Sequence, residues 1–302
     1  MTETIRVSHS TIRSLHRCPR TILFEQVLRL YPLNGSTALR YGSAYHKAME
    51  AYYSNGKDIN KAIEAAAAYW QKPTVQIFVE DYRTLENLLS SLLTYHQMFG
   101  RDKEEVVGVP EKKMIAKILL TDEEKSHYGD ISVDFVVVID LVTSLEGMIW
   151  IKDFKTTSVD LPYMASRLRR MPQLMGYQFV AQEHINEVSG TMVSYHQLKA
   201  TKSRKTGLYG ELKTDFMNFP MIYVSSEYDN WRTYVIYNAS KFHIAAKAGF
   251  PPNYLSCYEF NKSCPYLPLC ESPKWDIDRF MSVDGFVVVP DEREEQEAAT
   301  DE

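Results

Sequence analysis

Val136-Val-Val-Ile-Asp140-Leu-Val142 and Ile149-Trp-Ile-Lys-Asp153-Phe-Lys155-Thr-Thr157 decide how this 302-residue chain is read. Both runs are rich in β-branched and apolar residues, as strands buried on both faces are. Each is interrupted by a carboxylate. Glu146-Gly147 stands between them as a turn, so a hairpin brings Asp140 beside Asp153. Alternation along the second strand sends residues 153 and 155 to one face. Two carboxylates at one point repel unless a cation lies between them, and hard divalent ions take such oxygen ligands. A lysine on the same face stabilises charge or helps activate an attacking water. Taken singly, a strand-end Asp is a turn residue and a lone Lys a solvated edge.

Outward from this pair, residues 8–30 read as a helix with a Ser cap, ended by Pro-Leu-Asn-Gly at 32–35. Helices follow at about 38–53, 58–71 and 74–99. Strands are expected at 105–120, 131–143 and 147–155, then a helix at 172–186 and a strand at 191–198. Residues 201–210 form a polar loop with Lys202, Arg204 and Lys205, close to Lys199. A strand near 220–225 and a helix over 227–247 complete the pattern. The order of elements predicts an α/β protein with a mixed sheet core flanked by helices. Segment 250–275, with its prolines and three cysteines, is not expected to be regular on its own.

Charge and composition narrow the class. Asp291–Glu302 holds seven acidic residues and one Arg, so residues 1–290 carry about +1 of the net −5. The tail reads as disordered, and the near-neutral body is compatible with a local basic groove. No apolar run approaches the roughly 20 residues of a membrane span, and residues 1–10 do not resemble a signal peptide. A cytoplasmic location without membrane association is expected. A G-x-x-x-x-G-K-[ST] phosphate loop is not found in the sequence.

Asp140, then Asp153-Phe154-Lys155, resembles the Asp…(D/E)-x-K signature of the PD-(D/E)XK nuclease superfamily in its RecB-like form. Gln173-Leu-Met-Gly-Tyr177 is similar to that branch's Gln-x-x-x-Tyr motif, whose ends share a helical face. Gly42-Ser-Ala-Tyr-His46 is similar to its Gly-x-x-x-His motif. The motifs stand in the family's order. The resemblance implies a restriction-endonuclease-like core. It implies His46, Asp140 and Asp153 as metal ligands with the Phe154 carbonyl as a further one. Lys155 is implied as catalytic, with Gln173 and Tyr177 supporting the site or binding DNA. Where the family often has Gly three residues before the first Asp, this chain has Val137, which leaves Asp134 as a competing candidate. Glu111 reads as a solvated charge, with the family's earlier acidic ligand as its alternative.

Cys257-x6-Cys264-x5-Cys270 is too open for paired zinc-knuckle units. The Cys18-Pro-Arg20 context and the C-terminal trio resemble the layout of RecB-like nucleases that carry a 4Fe-4S cluster on four cysteines. Structural zinc and four unrelated thiols are the alternatives. The implied organisation is a cluster region of residues 1–37 and 248–285 joining the terminal segments, a nuclease core of 38–247 and an acidic tail of 286–302.

The expected activity is hydrolysis of DNA phosphodiesters with Mg²⁺ or Mn²⁺, a histidine ligand favouring Mn²⁺. The resemblance implies exonuclease action on single-stranded ends. It also implies partnership with a separate helicase, recombination or CRISPR-adaptation protein, as in bacteriophage and CRISPR stand-alone nucleases. Arg13, Arg17, Arg20 and the 201–210 loop are candidate DNA contacts. Tyr41 and Tyr45 are candidates for base stacking or for core packing. A catalytically silent binding module, a nuclease of RNA and a redox-gated DNA binder are the rival readings.

Overall fold

The computed structural model describes residues 2–32, 36–72, 81–259, 262–272 and 285–288. Residues 289–302 of the acidic tail, Pro273, part of the 32–35 break and the first residues of the expected 74–99 helix lie outside them. The start of the tail, expected to be disordered, is instead a strand: Phe286–Val288 pairs antiparallel with Leu30–Pro32, and Phe286 is buried. The strands are β1 (Glu3–Ser8), β2 (Leu30–Pro32), β3 (Glu105–Val106), β4 (Lys112–Leu119), β5 (Ile131–Ile139) and β6 (Leu141–Leu145). After them come β7 (Met148–Thr157), β8 (Val188–Lys199), β9 (Lys213–Met221), β10 (Tyr258–Glu259), β11 (Lys262–Ser263) and β12 (Phe286–Val288). The α-helices are α1 (His9–Arg17), α2 (Pro19–Ile22), α3 (Thr37–Ser54), α4 (Ile59–Trp70) and α5 (Leu85–Phe99). The later ones are α6 (Asp122–Tyr128), α7 (Leu161–Leu168), α8 (Pro172–His184), α9 (Ser225–Lys247) and α10 (Leu267–Glu271).

Two compact units form. The first comprises Met1–His9, Ser36–Pro73 and Ile77–Ser240; the second comprises Ser10–Gly35, Thr74–Gln76 and Lys241–Glu302. The first unit is mixed α/β. One of its sheets runs β1-β5-β4 and the other β3-β6-β7-β8-β9. In the second of these, β7 lies antiparallel to β6 and parallel to β8, while β9 returns antiparallel. Glu146 and Gly147 both have positive φ, 53° and 78°. That is the backbone a two-residue hairpin between twisted strands requires.

The expected continuous strand over 131–143 divides at Asp140: β5 pairs with β1 and β4, and β6 pairs with β7. The expected helix over 8–30 breaks as well. Cys18 is extended (φ −161°, ψ 115°) because it precedes Pro19, whose ring disfavours helical backbone at the residue before it. A π-turn, Leu23–Val27, follows α2. Helix α6 was not among the expected helices; it opens at Thr121-Asp-Glu-Glu124, which closes a full capping box. The strand expected at 220–225 lies earlier, over Lys213–Met221, in register with β8.

The core of the first unit gathers Tyr41, Tyr45, Met49, Tyr52 and Tyr53 of α3 against α4, α5 and Phe154 of β7. Tyr41 and Tyr45 are fully buried, which makes them packing residues rather than base-stacking ones. Beneath them a buried ion pair ties four segments together. Lys152 Nζ of β7 lies 2.7 and 2.9 Å from the Glu104 carboxylate, which also accepts the Tyr53 hydroxyl at 3.0 Å. Tyr53 in turn meets the Tyr95 hydroxyl of α5 at 2.8 Å. Burial disfavours both charges, but each offsets the other, so Glu104 is held below and Lys152 above its ordinary pKa. Removing one partner leaves a naked buried charge. Lys152→Met is therefore expected to cost about 3–5 kcal/mol of stability. A companion Glu104→Leu change recovers much of that loss, as read by urea denaturation.

His196 of β8 is fully buried, with Phe216 stacked on it at 4.6 Å and Tyr45 at 4.9 Å. Neither ring nitrogen finds a partner among the described residues. Burial pushes its pKa down to about 3. The unfolded chain takes up a proton below about pH 6.5 that the folded chain refuses. Stability from this residue is complete above that pH and falls by about 1.4 kcal/mol per unit as the pH drops toward 3. His196→Phe is expected to lose about 2 kcal/mol less than the parent between pH 7.5 and 5.0, measured by urea unfolding at both.

Candidate metal and nuclease site

Asp140 occupies the single-residue corner between β5 and β6. Its Oδ2 accepts the Phe154 backbone N–H at 2.8 Å and lies 3.3 Å from His46 Nδ1. His46 reaches it from α3 because the helix passes close to β7. A Cβ on Gly42 would stand 3.3 Å from Thr156 Oγ1, so the glycine of the Gly-x-x-x-His segment sets that approach. Glu111 opens the approach to β4 with φ 54°, and its N–H donates to the Asp140 carbonyl at 3.1 Å. Ligand atoms of His46, Glu111 and Asp140 all lie within 4.8 Å of one another. The expectation of Glu111 as a solvated charge is thus corrected: tertiary structure brings it into the acidic group. Asp134, the competing candidate, instead pairs with Arg6 of β1 at 3.6 Å.

Asp153, on β7, is fully buried. Lys155 Nζ donates to its Oδ1 at 2.7 Å, while Oδ2 has no partner among the described residues. Burying a carboxylate oxygen without a partner is costly. A cation facing it would remove the penalty, so these residues fit a divalent ion on the chemistry of the donors present. From α8, Gln173 Nε2 donates to the Tyr177 hydroxyl at 2.7 Å. Burial, and then the charges of Asp153 and Asp140, raise the Tyr177 phenol well above its usual range, so it stays protonated. Gly176 gives α8 its close seat: a Cβ there would meet Phe135 at 3.0 Å and Trp231 at 3.3 Å.

The electrostatics separate the two aspartates. Burial raises both, but His46, Lys155 and the Phe154 N–H outweigh it at Asp140 and lower its pKa. At Asp153 burial, together with the Asp140 charge, outweighs Lys155 and raises it. Burial works against the charge on Lys155, yet Asp153 and Asp140 raise its pKa, so the ammonium stays charged. That charge suits it to hold a water or a phosphate oxygen by donation.

The cysteines belong to the second unit. The Asn253 N–H donates to Cys18 Sγ at 3.2 Å, and the same residue's carbonyl lies 3.9 Å from Cys257 Sγ. The Cys264 N–H donates to the Cys257 carbonyl at 2.7 Å. All four are free thiols. Burial pushes Cys270 up to about 11, with the other three cysteines adding to the rise and Arg20 opposing it. The grouping of ligand atoms within 4.8 Å found among the described residues is His46, Glu111 and Asp140, and no cysteine joins it.

A profile of the PD-(D/E)XK nuclease superfamily matches residues 6–271, and the chain belongs to that superfamily. Among solved structures the chain is similar to a protein of Eubacterium rectale provisionally described as an exonuclease. The identity is 13%, covering 91% of this chain and 92% of that one, with a TM-score of 0.45. It is also similar to the protein SSO0001, at 12% identity over 81% and 78% of the chains and a TM-score of 0.30. No curated protein matches. Among the described residues no helix is long and apolar enough to cross a membrane.

If the acidic group holds a divalent ion, binding must stabilise the folded chain by mass action. Millimolar Mn²⁺ or Mg²⁺ is expected to raise the melting temperature of the parent. Asp140→Asn should abolish that rise, as read by differential scanning fluorimetry in chelator-treated buffer.

Proposed function

We propose that this nuclease is a divalent-metal-dependent exonuclease acting on single-stranded DNA ends. The observation that supports it most directly is the buried Asp153 carboxylate, with one oxygen on Lys155 and the other without a partner. His46, Glu111, Asp140 and Asp153 would hold the ion, with the Phe154 carbonyl as a further ligand. Bound there, the cation would supply Lewis-acid stabilisation of phosphate charge and acidify a water. The chain's own residues do the rest. Charged Lys155 donates to the attacking water or to a non-bridging phosphate oxygen, fixing the line of attack. Tyr177, oriented by Gln173, donates from the α8 side to the same phosphate. The Phe154 N–H keeps Asp140 aimed as the charge around it changes.

The second unit extends the proposal. Cys18, Cys257, Cys264 and Cys270 come from both ends of the chain, and all four are free. Such a donor set suits thiolate ligation of a 4Fe-4S cluster. The cluster would substitute for apolar packing that a proline-rich segment supplies poorly. Unwinding of duplex DNA falls to a separate protein, such as a helicase, a recombination protein or a CRISPR-adaptation protein.

The deciding experiment digests end-labelled single-stranded DNA with Mn²⁺, using anaerobically purified parent and Asp153→Ala. Parent activity should be lost in the variant while both keep the same iron content and brown absorbance. Equal activity in the two chains would remove Asp153 from the reaction. Zinc in place of iron would overturn the cluster assignment alone, and cleavage confined to an RNA strand of the same sequence would overturn the choice of DNA.

A further inference from the structure

Away from the carboxylates, the first unit holds a cavity of about 350 Å³ between the 201–210 loop and the segment that leads into α5. Its size falls within the roughly 300–1,000 Å³ typical of small-molecule pockets. Tyr82 and Tyr209 line it, their rings edge to face at 5.2 Å. Each ring carries a cation: the Arg83 guanidinium lies 4.7 Å from the Tyr82 centroid, and Lys202 Nζ lies 5.4 Å from that of Tyr209. The carboxylate in the lining, Asp81, is taken up by Arg83 at 3.0 and 3.3 Å, so it presents no unbalanced negative charge.

The loop is built rather than loose. Lys202 and Tyr209 form a β-bridge, with hydrogen bonds from the Gly210 N–H to the Thr201 carbonyl at 3.0 Å and from the Ser203 N–H to the Leu208 carbonyl at 2.8 Å. Gly207, at φ 71°, makes the turn. Lys202, Arg204 and Lys205 are exposed on this same loop, next in sequence to the lining residues Thr206–Gly210, in a ten-residue stretch that contains no acidic residue. Asn87 adds a side-chain amide to the lining, anchored by Nδ2 to the Tyr82 carbonyl at 2.6 Å.

Aromatic rings beside a positively charged loop are the chemistry that takes a flat π system bearing a phosphate. We propose that this cavity is a second nucleotide-binding site, in which Tyr209 and Tyr82 receive one unstacked base of the single-stranded substrate and the loop cations its phosphate. The inference rests on the nucleic-acid reading above and adds a position on the strand that the acidic group does not contact. Base stacking of this kind tolerates any sequence, so the site grips the strand without reading it.

The test measures binding by fluorescence anisotropy in the full-length Asp153→Ala chain, which leaves the probe uncut. The probes are a fluorescein-labelled deoxythymidine oligomer, an abasic strand of equal length, and free dTMP as competitor. Tyr209→Ala is expected to weaken oligomer binding about tenfold or more. It should leave abasic-strand binding unchanged, and Tyr209→Phe should restore parental affinity for the oligomer. Arg204→Ala with Lys205→Ala should weaken both strands alike and flatten the salt dependence. Parental oligomer affinity in Tyr209→Ala overturns the proposal. So does dTMP binding as tightly as the oligomer, which would make the cavity a free-nucleotide site. If the Asp153→Ala parent binds neither strand, the nucleic-acid reading falls and the cavity assignment with it. That failure is visible before any loop variant is made.

Discussion

The Phe154 amide donates to Asp140 Oδ2, and the geometry of the site follows from that one bond. Asp140 is the residue at which the chain leaves the β1-β5-β4 sheet and enters the β3-β6-β7-β8-β9 sheet. A carboxylate at this corner, tied to the backbone of β7, holds the ends of both sheets in register. The same Oδ2 lies 3.3 Å from His46 Nδ1, in the group whose ligand atoms, with that of Glu111, lie within 4.8 Å of one another. A backbone donor serves here better than a side chain would, because it cannot change rotamer when the charge around it changes.

Strand β7 then divides two kinds of work by simple alternation. Lys152 and Phe154 face the α3–α5 layer, where the lysine is neutralised by Glu104 and two tyrosine hydroxyls close the network. Asp153 and Lys155 face the α8 side, where one carboxylate oxygen has no partner among the described residues. A fully compensated buried charge and an under-compensated one therefore sit on successive residues. The first contributes rigidity, and the second is the unbalanced group on which the proposed metal site rests. Close-approach glycines on two helices, Gly42 of α3 and Gly176 of α8, bring His46 and Tyr177 near enough to share the site.

Much of the site was legible because its residues contradict their surroundings. Carboxylates inside Val- and Ile-rich runs are conspicuous, and their order along the chain is preserved whatever the fold does. Glu111 was legible only as an alternative drawn from the family resemblance, because nothing local distinguishes it from any other surface glutamate. It becomes a candidate ligand through its backbone contact with Asp140, between residues 29 positions apart in sequence. Helix α6 carried a readable capping box, whereas α7 has only Pro162 at its first turn to announce it. The division of the 131–143 run shows in the sequence only as the Asp140 carboxylate, since apolar residues continue on both sides of it.

The sequence by itself determined the mixed α/β class, the turn at Glu146-Gly147 and the shared face of Asp153 and Lys155, and it also held the break at Cys18-Pro19 that the helix expected over 8–30 passed over. These depend on period, on glycine's tolerance of positive φ and on the geometry of proline, all of which act within a few residues. Tertiary structure alone decided that Asp140 would be a corner between sheets, that Glu111 would join His46 beside it, and that Tyr41 and Tyr45 would be core. It likewise decided that Tyr82 and Tyr209 would meet across a cavity. Each of these rests on contacts between segments far apart in the chain, and local propensity carries no information about them.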